Sequence, residues 1–146
     1  MRRLKSFSYA VSLTLLLLTF SASSSAEQKE KLGNWDVHYM VLNTPFLTPE
    51  VARQYGIVRS KFNALVNISV LDSQTQAAQM VSVTGNARNL LDTVKPLTFK
   101  RVKEGDAIYY LAPLSFTDRE TFRFTINIQL GNDIQTLKFQ QEMFVD

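Results

Sequence analysis

The run ETFRFTINIQL, Glu120 to Leu130, puts Phe122, Phe124, Ile126, Ile128 and Leu130 at alternate positions, with Arg123, Thr125, Asn127 and Gln129 between them. A helix would scatter those apolar side chains around its circumference. Only an extended strand with one face to a core and the other to water keeps them together. VRSKFNALVNISVL, from Val58 to Leu71, repeats the pattern: Val58, Phe62, Ala64, Val66, Ile68 and Val70 share one parity. Its length predicts a bend or bulge partway along. Further strands are expected over Trp35 to Leu42, Ala77 to Thr84, Leu97 to Lys103, Ala107 to Leu111 and Ile134 to Phe144.

Turn chemistry links several of these runs. EGD at Glu104 to Asp106 and GND at Gly131 to Asp133 each set a glycine beside an acid or amide, the mark of a hairpin. DSQTQ, Asp72 to Gln76, makes a third short link, and NARNLLDTV, Asn86 to Val94, has room for one helical turn. About seven short strands with turn signals at regular spacing predict an all-β fold, an antiparallel immunoglobulin-like β-sandwich. The Cys-Trp-Cys mark of true immunoglobulin domains is missing, and an antiparallel barrel is the structural alternative.

The first 26 residues stand apart from this pattern. Arg2, Arg3 and Lys5 precede an uncharged run from Phe7 to Phe20, and SASSSA follows, which is the layout of a secretory signal peptide. Small residues at the last and third-last positions place the cut after Ala26, where Ala26 and Ser24 serve, rather than after Ala22, which would put Phe20 in the third-last place. Fourteen apolar-leaning residues at about 1.5 Å each fall short of a bilayer core of about 30 Å, so no stable membrane anchor is expected after cleavage. The expected location is the periplasm, with residues 27–34 a flexible lead-in and 35–146 a single sandwich domain.

Cleavage changes the charge argument. It removes three of the 16 basic residues and none of the 13 acidic ones, which leaves equal numbers. The pI near 9.3 therefore belongs to the targeting segment and gives no reason to expect nucleic acid as a partner. The chain has no cysteine, so disulfides, thiolate catalysis and thiolate metal sites are excluded, and the core must hold the fold unaided.

One helix is demanded by local chemistry. In FLTPEVARQYGIVRSK, Phe46 to Lys61, Thr48 suits the N-cap, Pro49 the first helical position, and Glu50 the positive end of the dipole. Gly56 stops the helix. Pro49 to Tyr55, inserted between the first two strands, is too short to persist alone and must be held by packing. Leu47 is placed to staple onto Ala52, and Ile57 to touch Val51 or Ala52 beyond the cap.

The run HYMVLNTPFLTPEVARQYGIVRSKFNALVNISVL, His38 to Leu71, and the tail KFQQEMFVD, Lys138 to Asp146, resemble a bacterial family of exported proteins known as domain of unknown function 4426. The resemblance spans essentially the whole mature chain. It implies a periplasmic protein of Gram-negative bacteria, and it brings no catalytic residues with it.

The residues themselves argue against most chemistries. His38 is the only imidazole, and it lies on the strand face opposite Trp35, Val37, Tyr39 and Val41, where a structural or surface role is expected; without cysteine a zinc site is disfavoured. A Ser-His-Asp set would have to recruit His38, no GxSxG elbow occurs, and the five glycines are spread singly, so no phosphate loop forms. The acids fall mostly at strand ends and turns, with no pairing for carboxylate catalysis. Lys95, Lys100, Arg101 and Lys103 near Phe99 read as an edge hairpin guarded against aggregation. Neither a catalytic set, a metal site nor a cofactor is expected.

Glu50, Arg53, Tyr55, Arg59 and His38 remain as candidates for binding or structural clamping. Glu50 and Arg53 are three apart on the helix and able to pair. Arg59 is the sharpest question: buried, it would clamp backbone carbonyls or a carboxylate beneath the helix; exposed, it would be free for an anionic ligand. Asn43 and Asn67 are possible further donors nearby. The leading expectation is a monomeric or weakly self-associating, non-catalytic periplasmic module that contacts another envelope protein or component, first through the C-terminal strand. The alternative is a small-ligand binder or small enzyme at the corner of Tyr55 and Arg59.

Overall fold

A computed structural model describes residues 27–145; the expected signal segment 1–26 with its expected cleavage site, and Asp146, lie outside the described residues. Among the described residues nine strands form two antiparallel sheets. They are β1 (Gln28–Leu32), β2 (Trp35–Asn43), β3 (Asn63–Asp72), β4 (Ser82–Asn89), β5 (Val94–Leu97), β6 (Lys100–Glu104), β7 (Ala107–Ser115), β8 (Thr121–Leu130) and β9 (Asp133–Glu142). One sheet runs β1-β2-β3-β7-β6 and the other β5-β4-β8-β9. This is the expected antiparallel sandwich and not a barrel.

The period-two stripes become its core. Phe122, Phe124, Ile126 and Ile128 of β8 are buried, and they face Ala64, Val66, Ile68 and Val70 of β3 in one apolar cluster with Trp35, Val37 and Leu137. Only the ends escape: Leu130 is half exposed where β8 passes the rim. Phe139 of β9 stacks on Phe124 at 4.5 Å and meets Tyr39 of β2 at 4.5 Å, so an aromatic ladder ties the sheets together along one side.

Five local expectations are corrected. Residues 27–34 are not simply a flexible lead-in, because Gln28–Leu32 pairs along β2 from Tyr39 to Trp35. Gly33-Asn34 is the two-residue turn between them, with Gly33 at φ +60°. Leu97 to Lys103 is not one strand: Leu97 ends β5 in one sheet, Lys100 begins β6 in the other, and the chain crosses at Thr98-Phe99. Residues 77–80 likewise stay with the first sheet, where Leu71 bridges Ala78, before the chain crosses to β4. An inward side chain stays inward on both sides of a crossing, so alternation cannot reveal a change of sheet.

The helical turn expected within Asn86 to Val94 is a hairpin instead. Asn89 Oδ1 accepts from the backbone N–H groups of Leu91 (3.0 Å) and Thr93 (2.9 Å), folding β4 onto β5. The Val58 strand is the last correction. β3 starts at Asn63, and Val58 and Phe62, expected in the core stripe, are exposed. Ser60 explains this. Its carbonyl accepts from Asn63 N–H at 3.0 Å and its hydroxyl from Phe62 N–H at 3.2 Å, a tight turn that takes the chain out of strand conformation.

Candidate functional site

The corner between β2 and β3 is built as its residues demand. After a 3-10 turn at Thr44–Phe46, helix α1 (Pro49–Gln54) begins with Thr48 Oγ1 accepting from Val51 N–H at 3.2 Å. It ends with Gly56 at φ +65°, where Gly56 N–H bonds the Arg53 carbonyl at 3.2 Å and Ile57 N–H the Ala52 carbonyl at 2.8 Å. These two crossed bonds are a Schellman cap, which only a residue free to turn left-handed closes without strain. Ala52 is buried beneath the helix, and Glu50 and Arg53 face solvent.

Arg59 answers its question in an unexpected combination. It is exposed, yet its Nη2 donates to the Pro45 carbonyl at 3.2 Å and so clamps the 3-10 turn. A second clamp lies deeper, at a residue the sequence did not single out. Thr44, 1 % exposed, donates through Oγ1 to the Ser60 carbonyl at 3.0 Å and accepts from Ser60 N–H at 2.9 Å. One hydroxyl thus closes the base of the whole 44–60 insertion. The only signal was a polar residue ending an apolar strand, and strand ends carry such residues for many reasons.

Because the Thr44 hydroxyl is buried and satisfies two backbone groups while Arg59 is hydrated, their removal has unequal costs. Thr44→Val should cost about 1 kcal/mol, and Arg59→Ala no more than about 0.5 kcal/mol, as read by urea denaturation of the two variants. The reverse order would mean that Arg59, not Thr44, holds the corner.

Beneath the helix end lies a groove of about 450 Å³. Tyr55, Ile57 and Val58 form one wall, and Leu65, Leu111 and Pro113, on the outer face of the β1-β2-β3-β7-β6 sheet, form the floor. Lys100 is the one charged residue in its lining, and neither Arg59 nor His38 belongs to it. His38 sits five positions before the end of β2, about 16 Å from the corner at strand spacing. Its Nδ1 lies 3.5 Å from Glu27 Oε1, while Nε2 and, on the neighbouring strand, Asn67 Oδ1 are buried without hydrogen-bond partners.

Among the described residues no three His, Asp or Glu side chains gather to hold a metal, and Glu50 and Arg53 form no ion pair within 4 Å. Asp72 is held below its ordinary value because its carboxylate accepts from Thr75 and Gln74 N–H groups, each at 2.9 Å. That is turn chemistry. Tyr39 is pushed up by burial and by the Glu30 carboxylate on the neighbouring β1. Asn43, expected to serve the corner, donates instead to the Phe144 carbonyl at 2.8 Å.

The edges of the two sheets are unequal. β1 reads QKEKL, β6 reads KRVKE, and β5 is four residues long with Pro96 inside it. Charge, brevity and proline each discourage a further strand. β9, DIQTLKFQQE, is ten residues long, ends its sheet and carries one lysine at its middle. The arrangement defines a class: a two-sheet antiparallel sandwich with a clamped helical corner and one long, lightly defended edge.

The model of the family described as "Domain of unknown function (DUF4426)" matches residues 29–146, and the chain belongs to that family. A crystal structure of a DUF4426 family protein from Pseudomonas aeruginosa PAO1 shares 41% identity and a TM-score of 0.73, over 82% of this chain and 96% of that one. Two structures of FetP from uropathogenic Escherichia coli strain F11, one of a protein expressed in the periplasm and one of a copper-bound variant, share the fold. Their identities are 10% and 11% and their TM-scores 0.53 and 0.52, over 81% of this chain and 92% of theirs. No curated protein matches.

Proposed function

We propose that this chain is a periplasmic accessory module that catalyses nothing and docks onto another envelope protein through a sheet edge. The observation that carries the reading is the contrast among edges: β1, β5 and β6 are guarded, and β9 is long and open. An open edge offers unpaired backbone N–H and C=O groups, and a partner strand gains main-chain hydrogen bonds by adding there. The groove beneath Tyr55 supports a small-ligand role less well, because its lining holds no acid beside its one base.

Truncating the C-terminus is a poor test, since Phe139 stacks on Phe124 and Met143 is buried. Exposed positions serve better. A photoreactive side chain at Thr136 of β9 should crosslink to an envelope protein in periplasm, whereas one at Lys103 on β6 should not. Ile134→Lys with Gln140→Lys should cut that crosslink at least about fivefold while Tm moves by about 2 °C or less. Equal crosslinking from Lys103, or none from Thr136, would sink the reading.

A further inference from the structure

The line of β1 stops short of the strand it covers. Its pairing with β2 begins at Gln28 and Tyr39, so among the described residues no strand lies beside Met40 to Asn43 of β2 on that side. Their other side is fully paired with Ala64 to Asn67 of β3. Here β2 opens onto a groove of about 450 Å³, bounded across the sandwich by Gln141 to Phe144 at the end of β9. Phe46 (75 % exposed) and Phe144 (51 % exposed) stand in its lining, and Met40 and Leu42 are half-buried there.

The backbone at this place is answered by a side chain. Gln141 Nε2 donates to the Val41 carbonyl at 3.4 Å, so that carbonyl points away from β3 and into the groove. In an antiparallel strand the N–H of a residue points to the same side as its C=O, so Val41 presents both groups to the side that β1, from Gln28 on, does not reach. A long, weak amide contact stands where a strand would give two good bonds.

We propose that this slot takes an extended peptide segment of a protein partner, laid end to end with β1, which pairs with Val41 and Asn43 and displaces Gln141. The occupant is a strand, because the site is the continuation of one and supplies backbone groups at strand spacing. Four residues of β2 span about 13 Å at roughly 3.3 Å each, enough for two apolar side chains of the occupant to enter the groove between Phe46 and Phe144. Glu142 is the one charge in the lining, so a basic residue flanking the apolar pair fits best. The inference rests on the reading of a protein-docking module and adds to the open flank of β9 a second contact, in the slot between β9 and β2.

The test pans a displayed library of random nine-residue peptides against the mature chain and maps an enriched synthetic peptide by amide shifts in ¹⁵N-labelled protein. Enriched peptides should carry apolar residues at alternate positions, and the largest shifts should fall at Val41 and Asn43. Phe46→Ser and Phe144→Ser, both at exposed positions, should each weaken binding at least about fivefold at unchanged Tm. Gln141→Ala should tighten it about threefold by removing the competing amide. Shifts confined to Asp133 to Gln140 would overturn the slot and leave the β9 reading standing. No enrichment would overturn the slot, and crosslinks absent from Thr136 as well would remove the docking reading with it.

Discussion

Gly85→Ala is expected to destabilise the protein by about 3 kcal/mol, a fall in Tm of about 12 °C for a domain of this size. A Cβ at Gly85 would stand 3.0 Å from Ile126 Cα and closer still to the Thr125 carbonyl oxygen. Both are backbone atoms of β8, the strand that pairs with β4 through Gly85 and Ile126. A flexible side chain could turn aside, but backbone yields only by separating the strands. The strands at issue are the two inner ones of their sheet, and β8 carries a fully buried stripe of the core. Thermal denaturation of the purified variant checks this, and a loss under about 1 kcal/mol would show that β4 and β8 can part at Gly85 without disturbing the core.

Tyr110→Phe should cost about 2 kcal/mol, although it removes a single oxygen. Tyr110 of β7 is buried, and its hydroxyl accepts from Val81 N–H at 2.8 Å and donates to the Gln79 carbonyl at 2.9 Å. Gln79 to Val81 is where the chain leaves the first sheet for the second, a place where neither ladder satisfies its backbone. The phenol stands in for the missing ladder. Phenylalanine would fill the same space and leave the buried Val81 N–H unpaired, which is the costly kind of deletion. Hydrogen exchange gives a local check. The Val81 amide should exchange faster in the variant by more than the global destabilisation explains, and unchanged protection there would argue that water replaces the hydroxyl.

The hairpin at Gly33-Asn34 shows where the sequence was legible and went unread. It carries the same Gly-Asn pair as Gly131-Asn132, which does announce a hairpin. What differs is β1 itself: four of its five residues are exposed, because an edge strand with nothing to bury is held by backbone bonds. Hydrophobic period detects side chains entering a core, and it is blind to a strand without them.

The same limit governs the candidate site. Thr48, Pro49, Glu50 and Gly56 foretold helix α1 and its caps, because capping is a contact among residues three to six apart. Thr44 to Ser60, Gln141 to Val41 and Asn43 to Phe144 join residues 16, 100 and 101 positions apart. No local pattern encodes such pairs.

Alternation, turn residues and capping chemistry in the sequence alone determined most of the strands, most hairpins and the helix. Each of these rests on neighbours a few bonds apart. Only the tertiary structure decided which strands share a sheet, where the chain crosses at Met80-Val81 and Thr98-Phe99, and that Arg59 holds a carbonyl at the surface while Thr44 holds the corner from within. It also decided that β9 ends its sheet and that, among the described residues, β1 pairs with β2 only from Trp35 to Tyr39, since an edge is a strand whose neighbour is missing, and a missing neighbour belongs to the packed whole.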